Sequence, residues 1–186
     1  RPLVHVVDAQ GAPRMCPLLE IDRMRGTEAG GRWIFAPTDA PLDVETIRAL
    51  VGRALHGAVE LDARPVRAAV EPGEAPVLRV ILRRPAPGPG EAVPSRVRVV
   101  VRTGSGAEVH AAEMELQGPP EMRTGLLTMR TPAALSPGLY RAEVSVEGVA
   151  WHPRSTTTGF WVKDARLLAA GPRLAVSRDW IRADGK

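Results

Sequence analysis

A two-residue alternation of apolar and polar side chains, repeated three times along the chain, is the strongest constraint on its fold. Leu78, Val80 and Leu82 alternate with Arg79, Ile81 and Arg83; Val97, Val99 and Val101 alternate with Arg98, Val100 and Arg102; Tyr140, Ala142, Val144 and Val146 alternate with Arg141, Glu143, Ser145 and Glu147. Successive side chains of a strand point to opposite faces, so each run specifies a strand with one buried and one wet face. Weaker strand segments at 109–116, 125–130 and 157–162 lie among turn signals at Thr103-Gly-Ser-Gly106, Gly118-Pro-Pro120 and Ser136-Pro-Gly138. About seven strands in roughly 100 residues are what an antiparallel immunoglobulin-like β-sandwich needs. That sandwich is expected over residues 64–164, and the fold class is mainly β. With 18 Gly, 18 Pro and only 4% aromatic residues, the composition favours short strands and tight turns over long helices.

Residues 1–63 have a different texture and predict a small α/β element. Leu3-Val-His-Val-Val7, Pro17-Leu-Leu-Glu-Ile21 and Arg32-Trp-Ile-Phe-Ala36 are three short apolar runs, the first two separated by a turn-like segment from Asp8 to Pro13. An amphipathic helix follows over 43–56. Asp43 is a good N-cap, Leu42 and Ile47 occupy the staple positions, and Gly57 is a suitable residue beyond the helix end. Val44, Ile47, Leu50, Val51, Ala54 and Leu55 form one stripe at helical spacing, which is expected to pack on the preceding strand. The long irregular stretch from Arg84 to Pro94 reads as a connection between two strands.

Residues 165–186 are expected to be a linker and the first strand of a truncated hairpin. Asp184-Gly185 supplies the positive φ of a tight turn, and only Lys186 follows it. Together with the start at Arg1, this predicts an internal segment of a longer protein.

The net charge of +4 comes from 25 Lys and Arg against 21 Asp and Glu, interleaved along the chain without a basic block. Arginines alternating with valines in Ser95-Arg-Val-Arg-Val-Val-Val-Arg102 describe a solvated strand face, so nucleic acid is not an expected partner. No run approaches the length of a membrane span, and no basic-then-apolar leader stands at Arg1. The single cysteine, Cys16, excludes an internal disulfide and reads as a buried, inert thiol.

The chemistry-bearing motifs are missing. His5, His56, His110 and His152 stand near neither a G-x-S-x-G elbow nor a catalytic cysteine context, and neither H-E-x-x-H nor C-x-x-C occurs. Gly88-Pro-Gly90 and Gly104-Ser-Gly106 lie between strands and open no helix, which makes them turns and not phosphate loops. The acidic residues are expected mainly in turns and on outward strand positions, so no glycosidase-like carboxylate pair stands out. Accordingly no catalytic residue, metal ligand or cofactor is expected. Of the four tryptophans, Trp33, Trp151, Trp161 and Trp180, Trp151 and Trp161 are the candidates for stacking on a sugar ring. Core or interdomain anchoring is the alternative for all four.

Three segments carry resemblances. Leu135-Ser-Pro-Gly-Leu-Tyr140 resembles the turn and corner tyrosine of bacterial immunoglobulin-like and fibronectin-like modules, with the hydroxyl bonded to nearby backbone. The last thirteen residues, from Leu174, resemble the hairpin that leads into the (β/α)8 barrel of glycoside hydrolases. The first sixty, with Gly-Gly-Arg before a strand, an Ala-Pro-Thr-Asp turn and a helix, resemble the closing part of a glutamine-amidotransferase-like α/β domain. Together they imply a non-catalytic accessory segment of a secreted bacterial carbohydrate-active enzyme, extracellular or periplasmic. Its implied partners are neighbouring domains of the same chain and polysaccharide. A structural or adhesive module of an extracellular assembly, and a carbohydrate-binding module, are the alternatives.

Overall fold

The computed structural model describes residues 2–36, 41–88, 91–130, 134–146, 155–171, 174–177 and 180–183. Its elements begin with three strands, β1 (Pro2–Val7), β2 (Pro13–Asp22) and β3 (Arg32–Phe35), followed by helix α1 (Val44–Leu55). The strands form an antiparallel sheet in the order β1-β2-β3, with Leu19 opposite Phe35 and Ile21 opposite Trp33. Helix α1 starts where the sequence places it, because the Asp43 carboxylate accepts from the Thr46 N–H at 2.7 Å and from the Thr46 hydroxyl at 2.7 Å.

Eight strands make the sandwich: β4 (Glu60–Pro65), β5 (Ala69–Val70), β6 (Val77–Arg83), β7 (Arg96–Thr103), β8 (Glu108–Glu115), β9 (Met122–Thr128), β10 (Gly138–Ser145) and β11 (Ser155–Val162). They divide into a three-stranded sheet, β4-β6-β9, and a five-stranded sheet, β5-β11-β10-β7-β8. All pairs are antiparallel except the short β5–β11 pair. The molecule is therefore mainly β and antiparallel, and the strand order is consistent with an immunoglobulin-like sandwich. Strands β4 and β5 occupy segments that the sequence pattern assigned to no element.

The alternation in the sequence becomes the core. Leu78, Val80 and Leu82 are 0% exposed, and they share one core cluster with Val97, Val99 and Val101 of the other sheet, at most 1% exposed. Full burial of each such side chain contributes about 1.5–3 kcal/mol. Tyr140 seals one end, its ring stacked on Phe160 at 5.3 Å and its hydroxyl donating to the Ser136 carbonyl at 2.8 Å. This is the corner role expected of it.

Two expectations for the C-terminal part are corrected. The segment from Ala165 contains a short helix, α2 (Ala165–Ala170), where a plain linker was expected. The terminal hairpin is closed: β12 (Leu174–Ser177) pairs antiparallel with β13 (Trp180–Ala183), from Ser177 opposite Trp180 to Leu174 opposite Ala183. Two residues between Ser177 and Trp180 are enough to join antiparallel partners, so the strand read as continuous from Leu174 is two strands. Asp184 and Gly185, on which the longer hairpin was predicted, lie outside the described residues.

Candidate functional site

Trp161 sits on the outer face of the five-stranded sheet and is 40% exposed. Its neighbours on β11, Phe160 and Val162, point into the core and are 1% exposed, and strict alternation sends Trp161 the other way. Opposite it stands Leu139 of β10, itself exposed, and Arg141 stands opposite Gly159. Trp151, the other predicted sugar-stacking residue, lies outside the described residues, as does His152.

The remaining candidates of the sequence take ordinary positions. Cys16 is half-buried on β2 and its thiol donates to the Leu18 carbonyl at 2.9 Å. His56 caps the end of α1. His110 faces Val101 beside an irregularity of the β7–β8 pairing, and its Nε2 is buried without a hydrogen-bond partner. Among the described residues, no group of three His, Cys, Asp or Glu could hold a metal ion. A cleft of about 310 Å³ at β7 and β8 is lined by Pro94, Ser95, Arg96, Val97, Arg98 and Glu113. Its lining holds neither a nucleophile–base pair nor two facing carboxylates.

The expectation that acidic residues lie in turns and on outward positions fails at Glu20. Glu20 shares the inward face of β2 with Leu18, and its side chain is 1% exposed. It pairs with Arg53 of α1 and lies 3.4 Å from Arg32 Nε. Arg32, equally buried, donates from Nε and Nη2 to the two Asp22 oxygens at 2.6 and 3.1 Å, and from Nη1 to the Arg53 carbonyl at 3.4 Å. Two carboxylates and two guanidinium groups thus balance charge beneath the helix, and they clamp α1 to the sheet. The signal was available in the period-2 reading, which places Glu20 with Leu18, while the Asp22–Arg32 pairing needs the register.

A second buried cation joins the α/β element to the sandwich. Arg84, at the end of β6, donates to both Glu91 oxygens at 3.2 and 2.9 Å and to the Ala58 carbonyl at 3.3 Å. The Ala58 N–H in turn donates to the Gly30 carbonyl at 2.7 Å. Burial pushes the Glu91 carboxyl up, but the hydrogen bonds from Arg84 and the Gly88 N–H, with the charges of Arg84 and His56, outweigh it and hold the carboxyl below its ordinary value.

The faces of the small element are inverted relative to an isolated domain. The charged cluster lies under the helix, while Leu19, Ile21, Trp33 and Phe35 occupy the open face at 36–44% exposure. Arg23 lies 5.0 Å over the Trp33 ring, and Trp33 and Phe35 are 6.2 Å apart. Helix α1 packs on the preceding strand, β3, as expected, but of its apolar stripe only Leu50 and Ala54 are half-buried. Val44, Ile47, Val51 and Leu55 are 47–81% exposed, because Arg53 takes the central contact with the sheet.

No protein-family model and no curated protein matches the chain. Among solved structures, a beta-glucosidase from Listeria innocua in complex with isofagomine aligns with 56% of this chain and 16% of its own, at 15% identity and a TM-score of 0.38. The same enzyme in complex with glucose aligns with 58% of this chain and 16% of its own, at 13% identity and 0.37. Pseudomonas fluorescens alkylpurine DNA glycosylase AlkC, bound to DNA containing an abasic site analog, aligns over 62% of this chain and 33% of its own, at 18% identity and 0.36. The chain thus spans a third or less of these structures, and its weak structural neighbours include a glycoside hydrolase.

Proposed function

We propose that this chain is a non-catalytic accessory segment of a secreted bacterial carbohydrate-active enzyme whose parent is a glycoside hydrolase. The small α/β element packs against neighbouring domains, and the immunoglobulin-like sandwich spaces and orients the catalytic one. The observation that carries this reading is the pair of uncovered apolar surfaces on the α/β element, Leu19, Ile21, Trp33 and Phe35 on the sheet and Val44, Ile47, Val51 and Leu55 on the helix. Interdomain contacts within a chain bury about 600–1,500 Å², and such surfaces are what they cover. The resemblance of the Leu135–Tyr140 corner supports the same assignment. Assays of the isolated chain on aryl glycosides and on polysaccharide should show no turnover. Turnover that survives removal of trace enzymes would overturn the assignment.

Trp161 favours a second reading, carbohydrate binding, because its indole is presented on an open sheet face, with Leu139 and Ala69 opposite it and Arg141 the next residue of β10 on that face. Glycan binding lost in Trp161→Ala would establish it.

A further inference from the structure

The geometry points to a binding site for an acidic saccharide, one bearing a uronic-acid carboxylate, on the outer face of β10 and β11. It rests on the sugar-binding reading of Trp161 and narrows it to a ligand class. Tyr140, Ala142 and Val144 are buried, so Leu139, Arg141 and Glu143 take the outer face of β10. On β11, Gly159 and Trp161 take the same face, with Leu139 opposite Trp161, Arg141 opposite Gly159 and Glu143 opposite Thr157.

Gly159 brings no side chain to this face, which leaves bare backbone between Trp161 and Thr157, with Arg141 beside it. An added Cβ there would stand 3.0 Å from the Tyr140 carbonyl and 3.8 Å from Leu139 Cδ1. Along β11 this bare backbone lies between Trp161 and Thr157, with the Leu139 side chain at its edge. A pyranose ring offers the matching surfaces: axial C–H groups for the indole and equatorial hydroxyls for Thr157 and Glu143.

Charge selects among saccharides. Glu143 accepts from Arg102 at 3.1 Å, and Arg102 also lies 3.7 Å from Glu108, so that arginine is engaged by carboxylates on both sides. Arg141 is exposed, and among the described residues it forms no ion pair. Its planar fork beside the glycine gap is the group that recognises a carboxylate in two parallel hydrogen bonds.

The test is calorimetric titration of the full chain with α-linked trigalacturonate and with its carboxyl-reduced, neutral counterpart. The wild type is expected to bind the acidic trimer, with affinity falling as salt rises, and to bind the neutral trimer about tenfold more weakly. Arg141→Gln should remove that preference and leave the neutral trimer unchanged, and Trp161→Ala should abolish both. Equal binding of both trimers, lost in Trp161→Ala, would overturn the acidic class while retaining the sugar site. Binding of neither trimer, or binding that Trp161→Ala leaves intact, would overturn both. Unchanged melting temperatures of the two variants establish that they fold.

Discussion

The residue that most distinguishes this chain from an ordinary sandwich protein is Glu20, a carboxylate 1% exposed between Arg32 and Arg53. Removing one member of a buried ionic group strands the others, which costs about 3–5 kcal/mol, whereas replacing the whole group by apolar residues is often neutral. Glu20→Ala should therefore unfold the α/β element at a lower urea concentration than wild type, and the combined replacement of Glu20, Asp22, Arg32 and Arg53 by apolar residues of similar volume should recover most of the loss. Urea titration followed by Trp33 fluorescence, in a background with Trp151, Trp161 and Trp180 replaced by Phe, reads both. Glu91 gives a pH-dependent counterpart. Its carboxyl is held below the ordinary 4.5, so its contribution is fully present above that pH and is lost as pH falls through the lower, folded value. The urea midpoint of wild type should exceed that of Glu91→Gln by a constant margin from pH 7 to about 5, and the margin should vanish in stronger acid.

At the scale of elements, α1 is held at its two ends and by the cluster of Glu20, Arg32 and Arg53, since none of its own residues is fully buried. Asp43→Ala removes the cap on Thr46, and circular dichroism should report lost helix with the β signal intact. The Asp43 carboxyl is held low by the hydrogen bond from the Thr46 hydroxyl and then by the Thr46 N–H. Its capping contribution is thus present above the ordinary 3.8 and fades only as pH falls below it. At the other end, Gly57 has φ +68°, and an added Cβ would stand 2.6 Å from the Gly30 carbonyl oxygen. Gly57→Ala should cost more than about 1 kcal/mol in thermal or urea unfolding, from backbone strain and the forced shift of the junction. The cap, the glycine and the core strands β6, β7 and β10 were legible in the sequence because each is a local pattern: a short polar side chain before a helix, a glycine after it, alternation within a strand; β4 and β5, which add Leu61, Ala63 and Val70 to the core, were not. The clamp at Arg84 and the Arg32–Asp22 pair were not, because partners distant in sequence meet only once register and packing are set. The closed hairpin at β12 and β13 was misread for a different reason: the conspicuous Asp-Gly signal outweighed an equally short two-residue connection between Ser177 and Trp180.

For the whole molecule, a well-packed sandwich carries a small element whose apolar surfaces face outward. Among the described residues the sandwich interior is one core cluster, with members from Val59 to Val162, and needs no partner to explain its burial. The α/β element does, because its most apolar sheet face and most of its helix stripe are open while its charged groups are inside. This inversion is invisible to a reading of alternation alone, which tells which residues share a face and not which face is covered. On the proposed function, neighbouring domains of a longer chain cover these surfaces. Hydroxyl-radical footprinting, read peptide by peptide, tests this most directly by comparing the isolated chain with the parent protein. Trp33 and Phe35 should oxidise rapidly in the isolated chain and be protected several-fold in the parent; equal oxidation in the two would contradict the proposed domain contacts.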